Sequence, residues 1–159
     1  NLSTLSLHEC KNISINHLTN LTQLKISYSD FGQNDIKSLI NLKKLYIHGY
    51  TEITNISFLT TLTNLSLTSN AVINDISNLT NLLTLLIEYS SDISDNSISN
   101  LTNLQHLDIA YNDKITNKSI MNLSNLLILD VRYCDSITSD INLPKLERFK
   151  YKPDPDMYG

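Results

Sequence analysis

The chain has 159 residues, enough for one domain or for one array of short repeats. Glycine and proline occur three times each, cysteine twice and tryptophan never, which argues against collagen-like, disulfide-rich and low-complexity proteins. A formal net charge of −4 with 18% charged residues provides no strong field of one sign, so we expect no nucleic-acid partner. Apolar runs are too short for a membrane span, and we expect no membrane insertion.

One pattern, L-x-x-L-x-L, recurs along almost the whole chain. The alternation within L-x-L predicts a strand with one buried face, and the preceding L-x-x-L spacing suits a turn of α- or 3₁₀-helix. A strand that returns parallel to its predecessor every 20 residues or so builds a solenoid, with a parallel sheet as one wall and leucines inside. The pattern starts every 19 to 22 residues, at Leu2, Leu21, Leu42, Leu62, Leu82, Leu104, Leu126 and Leu146.

Two polar columns accompany the leucines. The first stands just before each opening leucine, where asparagine tolerates left-handed backbone and bonds nearby main chain, so we expect a tight turn into each strand. It comprises Asn1, Asn20, Asn41, Asn81, Asn103 and Asn125, with Thr61 and Lys145 as exceptions. The second lies three residues after the last strand leucine and is expected to satisfy loop backbone groups. It comprises Cys10, Ser29, Tyr50, Asn70, Ser90, Asn112, Cys134 and Asp154.

The domain organisation predicted from these columns is one array of about eight repeats over residues 1–151, followed by a tail over 152–159. Pro144 and the Lys-Pro-Asp-Pro segment interrupt the pattern at the C-terminal end. A terminal repeat has to shield the edge of the leucine core, and nothing in the sequence precedes Leu2 to do so. We therefore expect an N-terminal cap in the full protein, or another chain over this end.

These repeats resemble the leucine-rich repeat family, whose pattern is L-x-x-L-x-L-x-x-N/C followed by a further apolar residue. NLTNLLTLLIEYS resembles the short internalin-type repeat of bacteria, and HECKNISINHLTNL resembles the cysteine-containing repeat of F-box substrate adaptors. The resemblance implies an α/β fold, a curved right-handed solenoid with its parallel sheet on the concave face and short helical or 3₁₀ turns on the convex face. It also implies recognition of another protein through the concave face.

Candidate partner-binding residues lie between and just after the buried strand leucines, where side chains point outward. Tyr89, Tyr111 and Tyr133 occupy one place in three consecutive repeats and should form a ladder, either as a contact surface or as a structural rim. Asp108 and Asp130 are neighbours in one column, so Arg132, His106 or a partner's lysine should neutralise them. The full set is Tyr46, His48, Leu86, Glu88, Tyr89, Asp108, Tyr111, Asp130, Arg132 and Tyr133.

The sequence contains no recognisable catalytic motif, and its four histidines lack metal-ligand spacing. We therefore expect a non-catalytic protein-interaction module without cofactor or metal; a structural component packed into a larger assembly, such as a particle or coat, is the alternative. Cys10 and Cys134 lie six repeats apart, roughly 29 Å at the usual strand spacing, too far for a disulfide. Two unpaired cysteines favour a reducing, cytoplasmic compartment, and nothing else in the sequence assigns one.

Overall fold

The computed structural model describes residues 2–69, 72–89 and 92–151. Within these ranges, eight strands form a single sheet in which every neighbouring pair is parallel and the strands follow in chain order. The strands are β1 (Thr4–His8), β2 (Gln23–Ser27), β3 (Lys44–His48), β4 (Asn64–Thr68), β5 (Thr84–Leu86), β6 (His106–Asp108), β7 (Ile128–Asp130) and β8 (Arg148–Lys150). The solenoid expected from the repeats is therefore confirmed.

The register of the sheet is the one that the leucine pattern predicts. One row of directly paired residues contains the first strand leucine of each repeat, namely Leu5, Leu24, Leu45, Leu65, Leu85, Leu107, Leu129 and finally Phe149. From Leu24 to Leu129 these side chains are at most 1% exposed. A one-residue slip would turn the whole row to solvent, so burial fixes the register.

Isoleucine supplies two further core rows that the L-x-x-L-x-L pattern omits. The first row follows the strand and begins with a phenylalanine: Phe31, Ile53, Ile73, Ile93, Ile115 and Ile137. The second row lies in the crossover, three residues before a buried or half-buried leucine: Ile15, Ile36, Ile56, Ile76, Ile98 and Ile120. Both rows are fully or almost fully buried. Their recurrence at the same 20- to 22-residue step was a signal present in the sequence. Each repeat thus buries its apolar side only against neighbouring repeats.

The crossovers are short, as expected, and the spacing of the isoleucine rows decides their form. The described residues contain three one-turn helices, α1 (Gln33–Ile36), α2 (Asp95–Ile98) and α3 (Asn117–Ile120). Each helix lies where the two rows are five residues apart, as between Ile93 and Ile98. Where the rows are three apart, as between Ile53 and Ile56, the chain has no helix and passes directly into the turns with i→i+3 hydrogen bonds that also follow each helix. The two additional residues make the segment long enough for the 3.6 residues of one helical turn.

The asparagine column fulfils half of its prediction. Its side chains do donate hydrogen bonds to main-chain carbonyls, but these carbonyls belong to the preceding repeat instead of the local turn. The Nδ2–O distance is 2.9 Å in each of four pairs: Asn41 to Thr19, Asn81 to Thr60, Asn103 to Thr80 and Asn125 to Thr102. Thr61, an exception to the column, donates in the same way to Ile40. The expected turn before each strand is present, and no described member of this column has a positive φ, so the turn forms without left-handed backbone. The column ties repeat to repeat.

The second polar column satisfies loop backbone groups, as predicted. Ser29 Oγ accepts the Cys10 amide at 3.0 Å, and Asn112 Nδ2 donates to the Ile93 carbonyl at 3.3 Å. Cys134 Sγ donates to the Ile109 carbonyl at 3.0 Å. Tyr50 departs from this role with 84% of its surface exposed. Asn70, Ser90, Asp154 and the predicted tail over 152–159 lie outside the described residues.

Left-handed backbone occurs instead two residues after the second inward-facing apolar residue of the strand pattern, in each of the first seven repeats. The residues concerned are Glu9, Tyr28, Gly49, Ser69, Tyr89, Tyr111 and Tyr133, with φ between 48° and 80°. Their amides continue the ladder between repeats: Tyr111 donates to the Arg132 carbonyl at 3.1 Å, and Gly49 donates to the Thr68 carbonyl at 3.0 Å. The chain leaves the sheet at this point, which requires a conformation that most side chains disfavour.

Gly49 is the glycine that this turn requires most strongly. Its φ is 80°, and a Cβ at this position would lie 2.8 Å from Tyr28 Cδ1, because the Tyr28 ring covers it. We expect Gly49→Ala to lower the free energy of unfolding by about 2 kcal/mol through strain and displacement of that ring. Urea unfolding measures the loss. Gly32→Ala is the matched control, since its Cβ would lie no closer than 3.6 Å to any atom; equal losses would disprove the explanation.

The two ends of the sheet differ from its middle. In β1, Leu5 and Leu7 are only half-buried, and Leu2 is 48% exposed. At the other end, Phe149 in β8 is half-buried.

None of the helices in the described ranges has both the length and the apolar character that crossing a membrane requires.

Candidate interaction surface

The outward side of the sheet consists of the residues that alternate with the buried strand leucines, and we call it the sheet face. Its middle column comprises Ser6, Lys25, Tyr46, Ser66, Leu86, Asp108, Asp130 and Lys150, which pair directly along the sheet. The register places the predicted candidates side by side: Leu86 is paired with Asp108, and Asp108 with Asp130. The candidates fall into an N-terminal and a C-terminal group.

The N-terminal group forms a shallow depression of about 290 Å³ that includes Lys25, Tyr46, His48 and Thr68. His48 is held on both sides: its Nε2 lies 2.7 Å from the Tyr28 hydroxyl, and its Nδ1 lies 2.7 Å from Thr68 Oγ1. Tyr46 and His48 are both half-buried. The hydrogen bonds fix the imidazole in place as a rigid polar contact.

Tyr28 belongs to this group although it is not among the partner-binding residues predicted from the sequence. Its ring meets that of His48 edge-on, with centroids 4.9 Å apart, and the side chain is 52% exposed. The available signal was its position in the same column as Tyr89, Tyr111 and Tyr133. An intervening Gly49 and Ser69 hid the continuity.

The predicted tyrosine ladder is present in the C-terminal group. Ring centroids of Tyr89 and Tyr111 are 4.3 Å apart with planes inclined by 16°, and those of Tyr111 and Tyr133 are 4.3 Å apart and inclined by 10°. Tyr89 is 54% and Tyr111 40% exposed, whereas Tyr133 is half-buried. Because the rings stack, each of the two ring pairs buries facing ring surfaces against each other.

Each tyrosine of the ladder also has left-handed backbone, with φ of 54°, 63° and 62° in chain order. This conformation costs a bulky side chain roughly 1–2 kcal/mol, which glycine would avoid. Ring stacking offsets part of the cost, at about 0.5–1.5 kcal/mol per pair. Three successive tyrosines therefore occupy a position where smaller residues are easier to accommodate.

Asp130 corrects one sequence-based expectation, because its side chain is buried instead of facing a partner. Only 2% of it is exposed, beneath two cations. Arg132 binds it with two nitrogens, Nε to Oδ1 at 2.9 Å and Nη2 to Oδ2 at 2.8 Å, and Lys150 Nζ lies 3.1 Å from Oδ2. Burial raises the pKa of Asp130, but the hydrogen bonds from Arg132 and Lys150 outweigh it, so the pKa lies below 3.8.

Arg132, one of the three cations proposed to neutralise the aspartate pair, does so for Asp130, and Lys150 assists it. His106 is not an ion-pair partner of either aspartate within the described ranges. Its pKa lies below 6.5 because burial and the charge of Lys150 disfavour the imidazolium.

Asp108 differs from Asp130 in that its pKa is raised instead of lowered. Burial raises its pKa to about 6, with the negative charges of Asp130 and Glu88 acting in the same direction. One hydrogen bond, from the Ala110 amide to Oδ1 at 3.1 Å, opposes the shift. Within the described part of the chain, neither Asp108 nor Glu88 forms a salt bridge. The sheet face thus holds a half-buried carboxylate that forms no salt bridge with any described side chain.

The remaining predicted residues lie around this carboxylate. Leu86 and Glu88 are half-buried, so Leu86 is less exposed than the sequence suggested. The tyrosine ladder begins one residue after Glu88. Leu86, Glu88, Asp108 and the ladder therefore form one continuous area, whereas Asp130 and Arg132 satisfy each other beside it.

Metal ligation and cysteine chemistry find little support in the described ranges. They contain no group of three or more His, Cys, Asp or Glu residues arranged to hold a metal ion. Cys10 and Cys134 are both unpaired, as their separation predicted. Burial raises the pKa of the Cys134 thiol, which lowers its reactivity as a nucleophile.

Comparison with known proteins agrees with this architecture. A sequence-family model described as Leucine Rich repeat matches residues 100–124. Comparison with curated proteins finds no match. The family match and the eight-stranded solenoid together show that the chain has the leucine-rich repeat fold.

Among solved structures, the chain is similar to internalins of Listeria monocytogenes. With InlF it shares 31% sequence identity over 94% of this chain and 47% of that chain, at a TM-score of 0.77. It therefore spans about half the length of that relative. Internalin C2 is 22% identical over 94% of this chain and 80% of its own, at a TM-score of 0.66.

A plant receptor kinase shares the fold as well. The leucine-rich repeat ectodomain of Arabidopsis HAESA, solved in complex with an N-terminally extended IDA peptide hormone, is 24% identical over 93% of this chain and 29% of its own. The TM-score is 0.68. At this level of identity the likeness concerns the fold alone.

Proposed function

We propose that the chain is a non-catalytic module that binds another protein on its concave sheet face, with the contact centred on the C-terminal group. The tyrosine ladder is the observation that carries the proposal. Three bulky rings are kept in left-handed backbone, and two of them have 40% or more of their surface exposed. Tyrosine provides large amphipathic contact area at low entropic cost, which is why it is enriched in recognition surfaces.

The surroundings of the ladder support a protein partner. Half-buried Leu86 and the polar Glu88 and Asp108 give the apolar centre and polar surroundings typical of protein interfaces. The Arabidopsis ectodomain, which shares this fold and was solved in complex with a peptide hormone, supports a peptide or protein as partner. A non-catalytic role agrees with the surroundings of His48, whose ring nitrogens contact two hydroxyl groups and, in the described residues, no carboxylate.

We expect Tyr111→Asn to reduce partner affinity at least tenfold, because it removes the central ring of the stack while asparagine retains the left-handed backbone. The partner would first be captured from source cells and then purified, and its dissociation constant measured by calorimetry. Tyr50→Asn is the matched control, since it removes an 84% exposed tyrosine outside the ladder.

Equal affinities of the two variants for every captured protein would contradict the placement of the contact. Recovery of the chain only within a fixed particle or coat, with the whole sheet face buried, would instead favour the structural role.

A further inference from the structure

The charges of the sheet face form bands along the solenoid. Lys25 and Lys44 give the N-terminal half a positive band, and Glu88 with Asp108 gives the middle a negative one. Beyond it, Arg132 and Lys150 are both engaged by Asp130. The negative band is the part of the C-terminal group whose charge no described side chain balances.

The two paired aspartates differ in the number of cations that form salt bridges with them. They occupy adjacent strands in register, yet the chain provides two cations for Asp130 and none for Asp108 in the described ranges. Arg132 attracts the charge of Asp108 as well, but its Nε and Nη2 atoms bind the Asp130 carboxylate, and it forms a salt bridge with Asp130 instead of Asp108. Asp108 therefore lacks a salt-bridge partner among the side chains that the structure describes.

We propose that the protein partner presents a lysine or arginine side chain to Asp108 and Glu88, with its aliphatic stem against Leu86 and the adjoining ladder. This inference rests on the proposed function and specifies the chemistry of the partner. Lysine and arginine stems pack on apolar surface while their charged ends remain paired, and Leu86 lies beside Asp108 in the register. A cation is also attracted to aromatic rings such as that of Tyr89.

A bound metal ion fits this place less well. Calcium requires six to eight oxygen ligands, and the band offers the carboxylates of two residues, one of which already accepts an amide hydrogen bond. An extended side chain with a single charged end matches a half-buried carboxylate beside a leucine.

Affinity should depend on pH in a defined direction. The charged groups that act on Asp108 are Asp130 and Glu88, which raise its pKa, and Arg132, which lowers it; the titratable Cys134 thiol is also within reach of its charge. Because Asp108 has a pKa of about 6 in the free protein, it is ionised at pH 7.5 and mostly protonated at pH 5. Binding of a cation favours the ionised form, so affinity should fall as pH is lowered through 6.

The first experiment uses trilysine amide as the probe and triglutamate as its charge-reversed counterpart. We expect trilysine to bind at pH 7.5 and to lower the Asp108 pKa observed by carboxyl NMR. Binding should weaken at least fivefold at pH 5 and in Asp108→Asn. Asp30→Asn is the matched control, because it removes the same charge from an exposed residue on the far N-terminal side. No binding of trilysine, or equal loss in both variants, would overturn the proposal.

The second experiment uses the captured partner. Asp108→Asn and Glu88→Gln should each weaken it about tenfold at pH 7.5, with Asp30→Asn unchanged. A partner that depends on Tyr111 but is indifferent to Asp108, Glu88 and pH would leave the proposed function standing and overturn this inference. If affinity follows Asp108 but not Tyr111, the lysine or arginine contact stands and the central role of the ladder fails.

Discussion

Leu107→Ala should lower the free energy of unfolding by about 3–5 kcal/mol, the range for a fully buried leucine whose surroundings cannot collapse. Leu107 is 0% exposed and lies in register between Leu85 and Leu129, both also 0% exposed. The cavity would therefore open at two repeat interfaces at once. Because each repeat buries its apolar side only on its neighbours, no other contact can replace what is lost.

Urea unfolding followed by circular dichroism measures this loss. Leu83→Ala is the matched control, since Leu83 belongs to the same part of the array but is 38% exposed. We expect it to cost less than about 1 kcal/mol, the scale of a surface substitution. Comparable losses at both positions would show that the leucine row does not carry the stability of the array.

Asp130→Asn should destabilise the protein by about 3 kcal/mol, whereas the same substitution at Asp108 should stabilise it. Asp130 has 2% side-chain exposure and binds Arg132 and Lys150, so the neutral amide would leave two cations without their counter-charge. Asp108 lacks such a cation in the described ranges, and asparagine there keeps an oxygen for the Ala110 amide. The same Asp→Asn substitution should therefore change the free energy of unfolding in opposite directions on two adjacent strands.

The gain at Asp108 should depend on pH. Its native pKa of about 6 exceeds the ordinary 3.8, so the native state binds the proton more tightly and the ionised carboxylate opposes folding. The stabilisation by Asp108→Asn should be complete above pH 6 and disappear as the pH falls to about 4. The difference between 6 and 3.8 corresponds to about 3 kcal/mol, which solvent screening reduces to about 1–2.

For Asp130 the dependence has the opposite sense. Its pKa is lowered, so its stabilisation is present above the ordinary value of 3.8 and is lost as pH falls further, through the native pKa. Thermal melts of both variants and the wild type between about pH 2.5 and 8 test the pair, because the Asp130 effect is lost only below 3.8. Loss of stability in Asp108→Asn at pH 8 would show that its carboxylate already has a balancing cation.

The repeat pattern by itself determined the architecture. Periodic burial admits only one register, so the leucine spacing predicted which residues pair across the sheet, from Leu5 to Phe149. It also predicted that Tyr89, Tyr111 and Tyr133 would align, because residues at equal positions in successive repeats lie one strand apart. Fold and ladder follow from spacing, which any reader of the sequence can measure.

Only the tertiary structure decided how the aligned side chains share their environment. Spacing placed Asp108 and Asp130 in one column but did not distinguish them. In the structure, Lys150 and two nitrogen atoms of Arg132 form hydrogen bonds with Asp130, whose charge is therefore neutralised. Asp108 forms no such bond with them, and its pKa is raised. Spacing likewise did not locate the left-handed turn, which depends on amides that must reach the next repeat. Competition for charge and hydrogen-bonding groups depends on distances of a few ångströms between repeats, which linear periodicity does not encode.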